Sequence, residues 1–156
     1  MDTQKTDIVR RFDTIAPHRQ SWREKNQYYY DDQQAYMRFL IPPDHSVLEI
    51  GCATGDLLAH LKPARGVGID ISPDMIRIAQ GRFPALDFRV GDIETITSWG
   101  ETFDYIILAD VVGHLFDIQT AFQKAPSVLP SGYPYYCLVL QFSLGARAQI
   151  GREIRT

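Results

Sequence analysis

Three aspartates in this chain stand where apolar runs stop. Asp70 follows residues 66–69, Asp92 follows residues 87–91, and Asp110 follows residues 105–109. A carboxylate at the tip of a buried strand is an acceptor for neighbouring hydroxyl pairs, such as those of a ribose. His114 lies just beyond Asp110. An imidazole with an unperturbed pKa of about 6.5 can take or give a proton near neutrality. It is a candidate general base, with packing or substrate contact as the alternative role.

The small-residue stretch Gly51-Cys52-Ala53-Thr54-Gly55 precedes these groups. Small residues let a loop turn sharply and bring its backbone close to a ligand. The helix expected after it starts with unpaired N–H donors. A strand, a tight loop, a helix and a second strand tipped by Asp form a unit that grips an adenosine-bearing cofactor.

Those groups require elements to hold them. Strands are expected at 47–50, 66–70, 87–90 and 105–109. Leu57, Leu58 and Leu61 mark one face of a helix over 56–62 that Pro63 stops. Ser72 and Pro73 suit the N-cap and first position of the next helix, which turns Met75, Ile76 and Ala79 inward and ends at Phe83-Pro84. A further helix is expected over 118–124. Upstream, residues 5–40 read as helical, with Ile8, Phe12 and Ile15 at helical spacing and an aromatic-rich run from Trp22 to Tyr30. That segment reads either as two helices packed on the sheet or as a lid over a site.

At Glu49-Ile50-Gly51-Cys52-Ala53-Thr54-Gly55 the chain resembles the class I S-adenosylmethionine-dependent methyltransferases, of the small-molecule, UbiE-like type. Their usual motif is Glu-x-Gly-x-Gly-x-Gly, so Ala53 replaces the central glycine. Gly91-Asp92-Ile93 and the Phe103-Asp104-x-Ile106-Ile107 pattern are similar to later motifs of that family. The resemblance implies a Rossmann-like three-layer α/β/α fold with a mostly parallel sheet and S-adenosylmethionine as cofactor. It implies Gly51, Ala53 and Gly55 at the methionine and ribose side, with Glu49 orienting the loop from beneath. It places Asp70 on the ribose hydroxyls, Ile71 and Met75 near the adenine, Asp92 and Ile93 in the adenine site, and Asp110 at the ligand edge. N-terminal helices cap the site in that family, and methyl transfer to a small-molecule acceptor is the expected activity. A non-catalytic, cofactor-binding remnant is the alternative. A nicotinamide-dependent oxidoreductase is disfavoured, since Asp56 stands where its motif needs a third glycine.

Bulk properties narrow the classes. With 156 residues and a formal net charge of -3, the chain has room for one core and no general bias toward nucleic acid. It shows no apolar run of spanning length, no apolar signal core at its start, and two cysteines without metal spacing. A cytoplasmic protein without a metal is expected. The expected division is a helical cap over 1–43, an α/β core over 44–142 and an irregular tail over 143–156.

After Lys124 the resemblance fades, because Ala125-Pro126-Ser127 interrupts the expected continuation. Residues 135–142 can still make a buried strand, but none remain for the last strands of the family's sheet. Back-translated and shifted by one nucleotide, residues 133–155 can read as a strand and an amphipathic helix. The expectation is therefore a truncation or a change of reading frame near 125–128. An open sheet edge would then favour self-association.

Overall fold

The computed structural model describes residues 3–96, 100–124 and a strand at 137–141. Its centre is a parallel sheet built from the apolar runs. Strand β1 is Ser46–Ile50, β2 is Arg65–Asp70, β3 is Asp87–Val90, β4 is Tyr105–Ala109 and β5 is Cys137–Gln141. The order across the sheet is β3-β2-β1-β4-β5, and all pairs are parallel. The strand order reverses between β1 and β4, and the crevice at the carboxyl ends of these strands is where open α/β sheets take ligands.

Side-chain alternation along the strands splits the interior into two cores. Val47, Ile107 and Ala109 face one side with Leu57, Leu58, Ile76, Ala79 and Phe88. Leu48, Ile50, Val67, Ile69, Ile106 and Leu108 face the other with Ile93, Phe103 and Ala121. The first core lies under α3 (Gln27–Leu40), α4 (Asp56–Leu61) and α5 (Pro73–Arg82), while α6 (Ile118–Lys124) contributes to the second. The expected α/β/α layering is present. Helix α5 begins as anticipated: the Ser72 hydroxyl accepts from the Met75 amide at 3.1 Å and Pro73 fills the first position.

The N-terminal segment forms three helices rather than two. Helix α1 is Thr3–Ile15, a 3-10 turn covers Ala16–His18, and α2 is Arg19–Lys25, followed by α3. Pro17 interrupts the first run. Asn26 interrupts the second, with its side chain donating to the Trp22 carbonyl at 2.8 Å. Part of the segment packs into the core and part borders a cavity. Met37 and Tyr30 are buried, while Trp22 and Tyr29 face a cavity above the sheet edge.

Residues 137–141 extend the sheet beside β4, within the span expected to form a strand. The expected frame change near 125–128 and the tail over 143–156 lie outside the described residues. Among those described, no helix is long and apolar enough to cross a membrane, and no cluster suits a metal ion.

Candidate functional site

The loop after β1 is held open by backbone geometry. Gly51 has φ +75°, and a Cβ there would stand 2.5 Å from Val111 Cγ2, so only glycine fits. Gly55 has φ +79°, and its missing Cβ makes room for the Phe88 ring. Between them Ala53 takes φ 46°, a left-handed conformation that costs a non-glycine residue about 1–2 kcal/mol. Ala53→Gly should therefore stabilise the chain, by up to about 1 kcal/mol after glycine's greater backbone entropy is deducted. Urea unfolding of the two chains checks this, and a lower midpoint for the variant would contradict it.

Asp70 closes the loop from the next strand. Its Oδ2 accepts the Ala53 amide at 2.9 Å, and its Oδ1 accepts the Ser72 amide at 2.9 Å. Each oxygen keeps one lone-pair site. Burial pushes this carboxyl above its ordinary range, and the two amides partly hold it down. Beneath the loop, Glu49 is 3% exposed and accepts the Leu58 amide at 3.1 Å. Burial pushes its pKa up to about 8, against the pull of that amide and with help from Asp56. Asp56 is anchored in turn by Arg82, at 2.7 and 2.8 Å, and by Thr54 at 2.6 Å.

A cavity of about 750 Å³ opens over this loop. Gly51, Ala53, Asp70, Ile71, Met75, Asp92, Ile93, Asp110 and His114 all line it. Two of the expected site residues stand behind its wall instead. Glu49 points into the core under α4, and Gly55 is placed against Phe88 and Ala79. Both shape the loop without reaching the cavity. Cys52, in the same loop, is buried, and burial raises its thiol pKa, so it is a packing residue.

The N-terminal helices supply groups that no local spacing in the sequence reveals. The Tyr29 hydroxyl lies 2.9 and 2.7 Å from the two Asp110 oxygens, and Gln33 Nε2 donates to the second at 3.1 Å. Asp110 itself has φ 59°, which aspartate tolerates better than most residues. Asp13 accepts from the Ser72 hydroxyl at 2.5 Å, tying α1 to α5. Lys5 bonds Asp92, and Arg19 adds a second cation to the cavity wall. His114 ends the 3-10 turn Val112–His114 and packs edge-on against Phe12, with ring centroids 5.1 Å apart.

The arrangement suits an adenosine-bearing ligand. It joins a glycine-lined backbone approach to a fixed carboxylate with spare acceptor sites. A second carboxylate, Asp92, stands at the end of β3 among the apolar side chains of Ile71, Met75 and Ile93. The volume is within the range of small-molecule and cofactor pockets.

Comparison with known proteins agrees with this geometry. The family model described as "Methyltransferase domain" matches residues 47–132. The ubiquinone biosynthesis O-methyltransferase of Methylobacterium nodulans is 31% identical over 117 residues, which cover 69% of this chain and 47% of that protein. The chain thus spans about half the length of the curated relatives it matches. The N-methyltransferase NodS of Bradyrhizobium japonicum, solved with S-adenosyl-L-homocysteine, is 26% identical with a TM-score of 0.60, over 69% of this chain and 60% of that one. A methyltransferase structure from Thermotoga maritima, 22% identical, has a TM-score of 0.70 over 83% of this chain and 60% of that one, a likeness of fold. The chain belongs to the methyltransferase-domain family, the class I S-adenosylmethionine-dependent methyltransferases anticipated from the Glu49–Gly55 loop.

Proposed function

We propose that this chain binds S-adenosylmethionine in the cavity above β1, β2 and β4 and transfers its methyl group to a small-molecule acceptor. The observation that carries this reading is Asp70, pinned by the amides of Ala53 and Ser72 with its remaining acceptor sites at a glycine-lined cavity. When bound, the cofactor supplies an electrophilic sulfonium methyl. In this reading Asp70 accepts the two ribose hydroxyls, and the Gly51–Ala53 backbone takes the methionine side. Ile71, Met75 and Ile93 pack against the adenine, and Asp92 accepts from its amino group. Glu49 and Gly55 act from behind, by holding the loop. Arg19 has no ion-pair partner among the described residues and suits the methionine carboxylate.

The acceptor enters on the N-terminal side. Phe12, Trp22 and Phe116 give that part of the wall an aromatic character, with Asp110, Tyr29 and His114 as its polar groups. Residues 1–43 act as the cap and 44–142 as the cofactor core. Methyl transfer needs alignment of a nucleophile more than it needs an acid–base set, and orientation alone can supply much of the rate. In this reading His114, on the cavity wall, contacts the acceptor and is not indispensable for chemistry. The relatives named for ubiquinone biosynthesis and for an amino sugar favour a small acceptor over nucleic acid.

Incubation with methyl-labelled S-adenosylmethionine and a panel of phenols, quinols, amines and amino sugars tests the proposal. Label in one acceptor class is the expected result. Cofactor binding without transfer to any acceptor would make the chain a binding remnant, and absence of binding would remove the site itself.

A further inference from the structure

One ion cluster at the β3 end of the cavity has a member that the family match leaves out. Lys5, in the first turns of α1, donates from Nζ to Asp92 Oδ2, and the same nitrogen is 3.1 Å from Glu94 Oε2. The three side chains are mostly buried, at 15%, 15% and 8% exposure. Each carboxylate is held from a second side. Asp92 Oδ1 accepts the Glu94 amide at 2.9 Å, and Glu94 Oε1 accepts the Asp117 amide at 2.5 Å. Lys5 lies far outside the matched residues 47–132.

The consequence follows from charge and lone-pair counting. Two ionised carboxylates this close, with no cation between them, repel each other and turn apart. Lys5 removes that repulsion and fixes the torsion of Asp92, since each carboxylate oxygen then has one protein donor. One acceptor site per oxygen remains on a group that lines the cavity. Burial alone would lower the ammonium pKa. The hydrogen bonds and charges of Asp92 and Glu94 outweigh it, so Lys5 stays charged.

We propose that Lys5 is a positioning residue for adenine recognition: by holding Asp92 and Glu94 together it aims the remaining Asp92 acceptor sites at the adenine amino group. The inference rests on the cofactor reading of the preceding subsection, and it adds that the selectivity of the core depends on a residue of the N-terminal helix. Lys5 acts through Asp92 and does not itself touch the reacting atoms.

The test compares S-adenosylhomocysteine with S-inosylhomocysteine, in which a ring carbonyl replaces the amino group. Both are titrated calorimetrically into the full chain, its Lys5→Met, Lys5→Arg and Asp92→Asn variants, and the Lys5→Met/Asp92→Asn double variant. The unsubstituted chain should prefer the adenosyl ligand by about tenfold or more, the scale of one hydrogen bond to a charged group. Lys5→Met should reduce that preference to about two- to threefold, and Lys5→Arg should keep most of it. Adding Lys5→Met to Asp92→Asn should change the preference no further. Should Lys5→Met lose cooperative unfolding, Lys5→Gln carries the comparison with the same loss expected. Undiminished preference in a folded Lys5→Met chain, or additive losses in the double variant, would overturn the inference and leave the cofactor site intact. Tight binding without preference in the unsubstituted chain would overturn the adenine role of Asp92 and this inference with it. No binding by that chain would overturn both the site and the inference.

Discussion

Asp70→Ala should abolish the thermal stabilisation expected of this chain with S-adenosylhomocysteine. A ligand that binds only the folded state, at about 100 times its dissociation constant, adds roughly 2.7 kcal/mol. For a chain of this size that is a rise in Tm of about 5–10 °C. The variant should show no rise. Asp70 is the acceptor of two loop amides, so the variant should also start lower, because each amide left unpaired costs about 1–3 kcal/mol. Asp70→Asn separates the two effects, since its carbonyl can still accept one amide. Its baseline should fall less while its ligand response stays small. A variant that unfolds at a higher temperature with ligand, by the same margin as the parent, would take Asp70 out of the site.

Glu49→Gln should change the pH dependence of stability more than any other conservative substitution in the core. Burial holds the Glu49 carboxyl protonated up to about pH 8, whereas its ordinary value is 4.5. The folded chain therefore keeps a proton that the unfolded chain releases. Where the folded state binds more protons, stability falls as pH rises. The contribution is fully present below about 4.5 and is lost progressively up to about 8. Each pH unit inside that window costs about 1.4 kcal/mol. Glutamine is neutral throughout, so the variant should gain on the parent steadily from about pH 5 to 8. Urea unfolding at half-unit intervals reads the difference directly, with the other titrating groups common to both chains. Parallel pH profiles would mean that Glu49 ionises normally in the folded state.

The physical point behind both substitutions is the same. The loop between β1 and α4 is shaped by carboxyl groups in two different roles. Glu49, neutral and buried, holds the start of α4 without placing a charge under the loop. Asp70, at the cavity, gives one oxygen to the Ala53 amide of that loop and the other to the Ser72 amide before α5, and keeps one acceptor site on each.

How much of this the sequence discloses depends on whether the determinants are local. The strands, the Ser72 cap with Pro73, the Leu57, Leu58 and Leu61 face and the Asp70, Asp92 and Asp110 positions are readable because each is fixed by neighbours a few residues away. Glu49 and Gly55 are legible as motif positions, yet their places behind the cavity wall depend on Leu58, Phe88 and Ala79. The N-terminal helices are the harder case. Their aromatic run announces a surface that does something, but Lys5 on Asp92, Asp13 on Ser72 and Tyr29 on Asp110 join distant parts of the chain. No spacing rule connects such pairs, because only the sheet topology brings the ends of β3 and β4 up to α1 and α3.

The central claim is that the cavity over Gly51, Asp70 and Asp92 is an S-adenosylmethionine site, and direct titration reaches it with fewest assumptions. S-adenosylhomocysteine should saturate the chain at one equivalent, while NADH, the ligand of the rival glycine-loop fold, should give no heat of binding under the same conditions. Saturable binding of NADH with none of S-adenosylhomocysteine would contradict the account and return the glycine loop to the nicotinamide reading.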